Sequence, residues 1–492
     1  METHIQAVDD ALIDSLSFKL PNSANFINDR RSVSFFPSGG NSYSPNGVKI
    51  IKFVITGSDW LDPSTVRVQF RLNNENADGL KLVNSLPSNC FRRLRIIAGG
   101  QVIEDIDCYN RVYNMVHMML PEERRLNDAA EAFGIGDYDD NIQDDVAEDR
   151  VIGFQSLLNT PWVGGGSSRV VLFPLLCGIF NQTKFLPLKY LQGLQIELEV
   201  VNNYTDCICT RPIIPNGQVL APGPVGPTAT AATWLISEAQ IKCDVVSLDN
   251  QLDNEYTKHL LEGKSLPINF SSFVHQVQAV GGTDRPVIAM SRAFTRLKSV
   301  YVSFYKRPMV FSAGLLNQTA EATHLPLKEC SFFWHPQYFY PGLDLTSHAD
   351  DVPIRAIGWW SFQYKSEVEA QLQIGSKLFP EMPIRSGAEA YYHLRKALGS
   401  HRPNSSYGVN IAEREYRTTK FVLAFDCEKQ TNVGFTGINT RSGDLITVKV
   451  SNLQHVINNG TVIPDTYADF MHTTLEYDAI LSITDAGVTI LE

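Results

Sequence analysis

Apolar residues along this chain recur at every second position, in short runs separated by polar, Gly- and Pro-containing breaks. Val66, Val68, Phe70 and Leu72 alternate with Arg67, Gln69 and Arg71, the pattern of a strand with one buried and one wet face. Ile51, Phe53 and Ile55 repeat it before Gly57-Ser58-Asp59, as do Leu16, Phe18 and Leu20 near the start. Leu94 and Ile96 run into Gly99-Gly100, a pair that tolerates the positive φ of a two-residue hairpin turn, and Val102 falls on the return strand. Leu194, Ile196, Leu198 and Val200 alternate with Gln195, Glu197 and Glu199, and Ala239, Ile241, Cys243 and Val245 with Gln240, Lys242 and Asp244. Short strands with turn residues between them predict an all-β architecture.

Helical spacing is the exception. Tyr109, Tyr113, Val116 and Leu120 keep it until Pro121. Asn250 is expected to cap a helix of about three turns, with Asp253 and Glu255 in its first turn and Lys258 and His259 in its last. Leu252, Tyr256 and Leu260 line one face of it before Gly263. Pro267 forbids continuation. Ile268 and Phe270, followed by Phe273, Val277 and Ala279 after a phase shift at Ser271 and Ser272, predict a bulged strand that opens a second domain.

Further on, Ala390, Leu394 and Leu398 share a helix face until Gly399, and Val300, Val302 and Phe304, then Phe421, Leu423 and Phe425, then Ile446, Val448 and Val450, alternate as strands. Phe294-Thr295-Arg296-Leu297-Lys298 echoes Phe91-Arg92-Arg93-Leu94-Arg95, a short hint of repetition. The expected division is a first domain over 1–248, a linker helix over 249–266 and a second domain over 267–492. The first carries an acidic excursion at 121–150 and a Pro- and Gly-rich loop at 211–233, which no central strand accommodates.

At 492 residues core size is not limiting. Net charge is −11, yet Glu122 to Asp149 alone holds eleven acidic residues and two arginines, a local −9 that leaves the remainder near neutral. Nothing in that balance invites a nucleic-acid backbone. Eight scattered cysteines, with no signal-peptide pattern at Met1 to Ala11, are expected to be reduced thiols. The longest apolar run, Val170 to Phe180, is interrupted by Pro174 and too short to span a bilayer, so no membrane insertion is expected.

Few residues suggest chemistry. Asp137, Asp139, Asn141, Asp145 and Glu148 fall at positions 1, 3, 5, 9 and 12 of an EF-hand loop. Ile142 occupies the place of the turn glycine and Asp144 that of the apolar anchor, so the segment reads as a solvated acidic loop. Cys207 and Cys209 form a lone CxC without a second ligand pair. Gly164 to Ser168 precedes a strand rather than a helix and reads as a loop. His324, His335 and His348 lie irregularly among aromatics and read as core or interface. No GxSxG elbow or phosphate-binding loop is present. The expectation is no catalytic, cofactor-binding or metal residues, no cofactor, and no enzyme activity.

Three stretches carry a family resemblance. The run VLFPLLCGIFNQTKFLPLKYLQGLQIELEV, residues 171–200, resembles the strand, Pro-Leu, short helix, Leu-Pro-Leu, strand landmark in the first barrel of double jelly-roll major capsid proteins of eukaryotic DNA viruses. VVSLDNQLDNEYTKHL, residues 245–260, is similar to that family's junction between barrels, and GFTGINTRSGDLITVKV, residues 434–450, resembles its penultimate strands. The turn Gly437 to Gly443 departs from the Ser-Gly, Asn-Phe-Ser-Arg wording of the giant viruses and looks more like polinton-like viruses and virophages.

The resemblance implies two tandem eight-stranded jelly-roll barrels with short inserted helices, and a loop at 211–233 that points outward from a shell. It also implies a major capsid protein that forms a homotrimeric, pseudo-hexagonal capsomer of an icosahedral virus. The implied partners are copies of itself, neighbouring capsomers and minor capsid or penton proteins. The implied location is the virion, with assembly in the reducing interior of an infected cell. A carbohydrate-binding or carbohydrate-active jelly-roll protein stays open as the alternative, because the same sandwich hosts sugar sites.

Overall fold

The computed structural model describes residues 26–76, 79–82, 86–132, 163, 166–204, 207–211, 233–280, 285–305, 369–400, 416, 421–430, 435–441, 444–451 and 470–492. The expected strand at Leu16 to Leu20 and the acidic positions Asp137 to Glu148 lie outside them, as do the residues 212–232 and the histidines at 324, 335 and 348. The first half holds strands β1 (Ile27–Phe35), β2 (Ser42–Tyr43), β3 (Ile50–Ile55), β4 (Trp60–Asn74), β5 (Gly79–Leu82), β6 (Phe91–Ala98), β7 (Gln101–Asp107), β8 (Ser168–Pro174), β9 (Leu186–Pro187), β10 (Leu194–Val200), β11 (Ile208–Arg211) and β12 (Trp234–Leu248). Its helices are α1 (Tyr109–Met119), α2 (Glu122–Glu131) and α3 (Gly178–Asn181). Helix α4 (Asn250–Leu261) leads to β13 (Leu266–Ala279), β14 (Val287–Met290), β15 (Leu297–Tyr305), β16 (Glu369–Ile374), β17 (Lys377–Ile384), α5 (Gly387–Ala397), β18 (Leu423–Asp426), β19 (Ile446–Ser451), β20 (Phe470–Thr484) and β21 (Gly487–Leu491).

All pairings between these strands are antiparallel, and the two halves repeat one plan. The first builds sheets in the order β1-β12-β4-β8 and β3-β10-β6-β7; the second builds β13-β20-β15-β18 and β14-β19-β16-β17. Numbering the eight strands on these paths 1 to 8 within each half gives 1-8-3-6 and 2-7-4-5 both times. The fold is therefore two tandem eight-stranded jelly rolls with short inserted helices.

The alternation read from sequence is the alternation of burial. Val66, Val68, Phe70 and Leu72 are buried in β4 while Arg67, Gln69 and Arg71 are half-buried. Phe70, Phe91 and Phe173 meet at centroid distances of 5.6 to 6.2 Å in the first core. The β6–β7 hairpin closes through Gly99 and Gly100 at φ +55° and +78°, the left-handed geometry its two-residue turn requires.

Four expectations need correction. The five-residue echo does not align the repeat: Phe91 opens the fourth strand of its barrel, whereas Leu297 opens the third of its own. Strand β13 is not bulged, since its register to β20 runs unbroken from Leu266↔Ile483 to Ala279↔Phe470. Register shifts fall in other ladders, among them that of β12 with β4, which shifts between Ser237 and Gln240 around Glu238 at φ +53°. The acidic excursion starts as a docked helix rather than an open loop, because α2 buries Arg125 and pairs Glu131 with Arg67 at 2.8 Å.

The fourth correction concerns α4, whose cap is Asp249 rather than Asn250; its carboxylate accepts from the Gln251 N–H at 3.0 Å. At the other end Gly263, at φ +77°, and Lys264 donate back to Leu260 and His259, which closes the last turn. The helix docks on the first barrel through Tyr256 on Trp60, Thr257 on Tyr190 and Asp253 on Lys189. Asp249→Ala should therefore lower stability by about 1 kcal/mol in urea unfolding, while Asp249→Asn retains most of it.

Candidate functional site

The most constrained place among the described residues is the seam where the first barrel meets β13. Strand β13 ends its sheet, and an uncovered strand edge invites non-native pairing. Strand β7 and α3 of the first barrel lie against it. The approach is set by Gly178: a Cβ there would lie 2.1 Å from the Ser271 carbonyl oxygen and 2.6 Å from Phe270 Cδ2.

Into this contact β7 projects a carboxylate. The β6–β7 ladder passes from Ile97↔Val102 to Ile96↔Glu104, skipping Ile103, and this irregularity buries both Ile103 and Glu104. Glu104 is 1% exposed. Its Oε2 accepts from the Gly178 N–H at 2.9 Å and the Ser272 hydroxyl at 2.6 Å, and its Oε1 accepts from the Ile179 N–H at 2.7 Å. Burial pushes the carboxyl upward in pKa, and the three hydrogen bonds oppose that shift. Ser272 belongs to the second barrel, so one carboxylate ties both barrels and α3. The Leu176 N–H, just ahead of α3, donates to the Tyr109 hydroxyl at 2.8 Å.

Beside this tie lies a cleft of about 510 Å³ with Tyr113 and His117 of α1 and Leu120 just after it on one side and Phe270, Phe273 and Glu476 of the second barrel on the other. His117 is buried and stacked near Tyr113. Burial, with the Arg125 and Arg124 charges, pushes it down to about 3. His275 of β13 and His472 of β20 bond ring to ring, Nε2 to Nδ1, at 2.9 Å. Burial and then Arg111 of α1 push His275 down to about 3; burial, His275 and Arg111 hold His472 low as well.

The residues singled out from sequence are not brought together here. Cys207 is buried in the first barrel, and Cys209 lies in β11 opposite Lys81. Gly166 stands at φ +64° just before β8. Among the described residues no group of three or more His, Cys, Asp and Glu is arranged to hold a metal ion. Sequence reading missed Glu104, Gly178, His117 and the His275–His472 pair. The only signal was the phase shift at Ser271-Ser272, which marks where the inward-facing position turns polar to meet Glu104.

Gly178→Ala should destabilise the chain by roughly 2–4 kcal/mol, because the clash is with backbone, and Ser272→Ala by about 1–3 kcal/mol. A raised carboxyl favours the native state below its ordinary value near 4.5, and that advantage is lost as pH rises through the folded value. The stability advantage of the native chain over Glu104→Gln, measured by urea unfolding, should accordingly shrink as pH rises from 4.5.

No family model matches the sequence, and no curated protein matches it. Solved structures do match. PBCV-1 VP54, fitted into a cryo-EM reconstruction of the virophage Sputnik, aligns at TM-score 0.56 and 13% identity over 96% of this chain and 99% of that one. A chain of the Sputnik virophage cryo-EM structure aligns at TM-score 0.55 and 9% identity, over 97% and 91% of the two chains. The Faustovirus major capsid protein aligns at TM-score 0.54 and 9% identity, over 97% and 94%. At such identities the likeness is one of fold, and that fold is the double jelly roll of viral major capsid proteins along nearly the whole chain.

Proposed function

We propose that this chain is a major capsid protein, a structural subunit without catalytic, cofactor or metal residues. In this reading three copies form a homotrimeric, pseudo-hexagonal capsomer that tiles an icosahedral virus shell. The observation that carries it is the strand order repeated twice in one chain, over a length that matches capsid chains nearly end to end. Three copies of a chain with two like barrels present six like corners, so closed three-fold symmetry yields a near-six-fold tile. Residues 1–248 form the first barrel, with the acidic 121–150 segment and an outward loop at 211–233; 249–266 link it to a second barrel over 267–492.

Matching apolar exposures support the equivalence of the barrels. Ile50 and Val287 are exposed at the first residue of the second strand of each barrel, and Val102 and Leu378 at the second residue of the fifth. Like places on both barrels can then meet like neighbours. The β3-β10-β6-β7 sheet pairs its own charges, Lys52 and Arg95 with Glu197 and Arg93 and Arg95 with Asp105. That self-pairing supports partners that are protein, namely further capsomers and minor capsid or penton proteins, with no direct nucleic-acid contact and no membrane insertion. The reading places the protein in the virion, after assembly in a reducing compartment of the infected cell.

Native mass measurement and negative-stain images should give a trimer and six-cornered particles. A monodisperse monomer under every salt condition, with saturable sugar binding, would overturn the reading in favour of the carbohydrate alternative. Val287→Glu with Leu378→Glu should weaken association between copies while leaving the thermal midpoint within a few degrees. Melting should be indifferent to chelator; restoration by added calcium, abolished by Asp137→Ala with Glu148→Ala, would contradict the absence of a metal site.

A further inference from the structure

We propose that β17, the outer strand of the second barrel, is a docking edge for β1 of a second copy of this chain. The proposal rests on the capsid reading and deepens it, by naming the two edges that meet where one copy joins the next.

The chain already contains one joint of this kind and leaves the parts of another unused. Strand β7, fifth in the first barrel, lies against β13, first in the second. Each of them ends its sheet, and no ladder joins them: β7 pairs β6, and β13 pairs β20. The strands at the same two places that remain are β17, fifth in the second barrel, and β1, first in the first. Both also end their sheets, β17 pairing β16 and β1 pairing β12.

Exposure separates the covered edges from the open ones. The β6–β7 and β16–β17 hairpins both turn through two residues, between Ala98↔Gln101 and Ile374↔Lys377, so β7 and β17 can be compared by counting from the turn. Ile103, Glu104 and Ile106 are buried in β7, whereas Phe379 and Pro380 at the same count in β17 are half-buried and Met382 is 67% exposed. Strand β13 buries Ile268, Phe270 and Ser272, whereas β1 has no buried residue. Phe26 and Phe36, at the two ends of β1, are 54% and 69% exposed. An open strand edge is a liability that folded proteins cover, and aromatic and Met side chains are the kind enriched where proteins meet.

Charge fits the same occupant. Asp29 of β1 and Lys377 and Glu381 of β17 have no ion-pair partner among the described residues. Arg30 and Arg31 of β1 pair with Asp62, Asp244 and Asp59 of their own barrel, yet half or more of each side chain stays exposed. Each edge therefore offers both signs to the other.

The joint between copies differs in chemistry from the one inside the chain. Pro380 stands where β7 carries Glu104, so β17 brings no matching carboxylate to bury, and its exposed Met382 meets an edge flanked by phenylalanines. Such a head-to-tail contact is heterologous and closes into a ring when the rotation allows. In a closed ring it alternates with the seam inside each chain.

Photo-crosslinking locates the contact. Benzoylphenylalanine in place of the exposed Met382, in a mixture of isotopically heavy and light chains, should give heavy–light links to residues 26–36. An oligomer whose links from position 382 fall elsewhere, on β17 of another copy included, would overturn the docking edge and leave the capsid reading standing. A monomer at every concentration and salt would overturn both. Met382→Glu and, separately, Phe36→Glu should each weaken association about tenfold or more; association as tight as that of the unaltered chain counts against the proposal. Hydroxyl-radical footprinting of the unaltered chain gives an independent readout, in which oxidation of Met382 and Phe36 should fall on assembly, and oxidation equal in oligomer and monomer would again overturn it.

Discussion

A carboxylate buried between two barrels is the constraint on which the relation of the halves depends. Glu104 has no ion-pair partner among the described residues; two backbone amides of α3 and the hydroxyl of Ser272 solvate it instead. Fixed dipoles can hold a buried carboxyl only if they stay in place, since an unmet polar group in that environment costs several times what a typical hydrogen bond contributes. Gly178 must therefore lie against Ser271, and β13 must present Ser272 inward. The strand edge that would otherwise lie open is covered by the contact that keeps the carboxyl satisfied.

The two barrels share a topology without sharing a surface. The row Lys52, Glu197, Arg95 and Asp105 crosses four strands of the first barrel with its charges paired. In the equivalent sheet of the second barrel the row Ala289, Thr447, Gln373 and Leu378 carries no charge. Surface ion pairs of this kind add little stability; what they change is which neighbours a face accepts. A duplicated fold can thus keep matching exposed apolar positions while its flanks differ.

The same seam holds buried titratable groups. Burial shifts the Glu104 carboxyl upward and the three histidines downward, in both cases because it disfavours charge.

The strands were legible because a half-buried sheet writes its buried face into the sequence at period two, as in Val66 to Leu72 and Leu194 to Val200. Helix α4 was legible because caps and end charges are local, and its N-cap was misplaced by one residue because Asp249 and Asn250 are both good caps. Periodicity states which face is buried and not what buries it. The polar step at Ser271-Ser272 therefore read as a bulge, when it marks a strand whose inward neighbour changes from hydrocarbon to the Glu104 carboxylate. Glu104, Gly178 and the His275–His472 pair acquire their roles from partners 74 to 197 residues away in the chain. Of these hydrogen bonds, Glu104 with Gly178 forms within the first barrel and His275 with His472 on paired strands of the second, whereas Glu104 with Ser272 exists only because one barrel packs on the other.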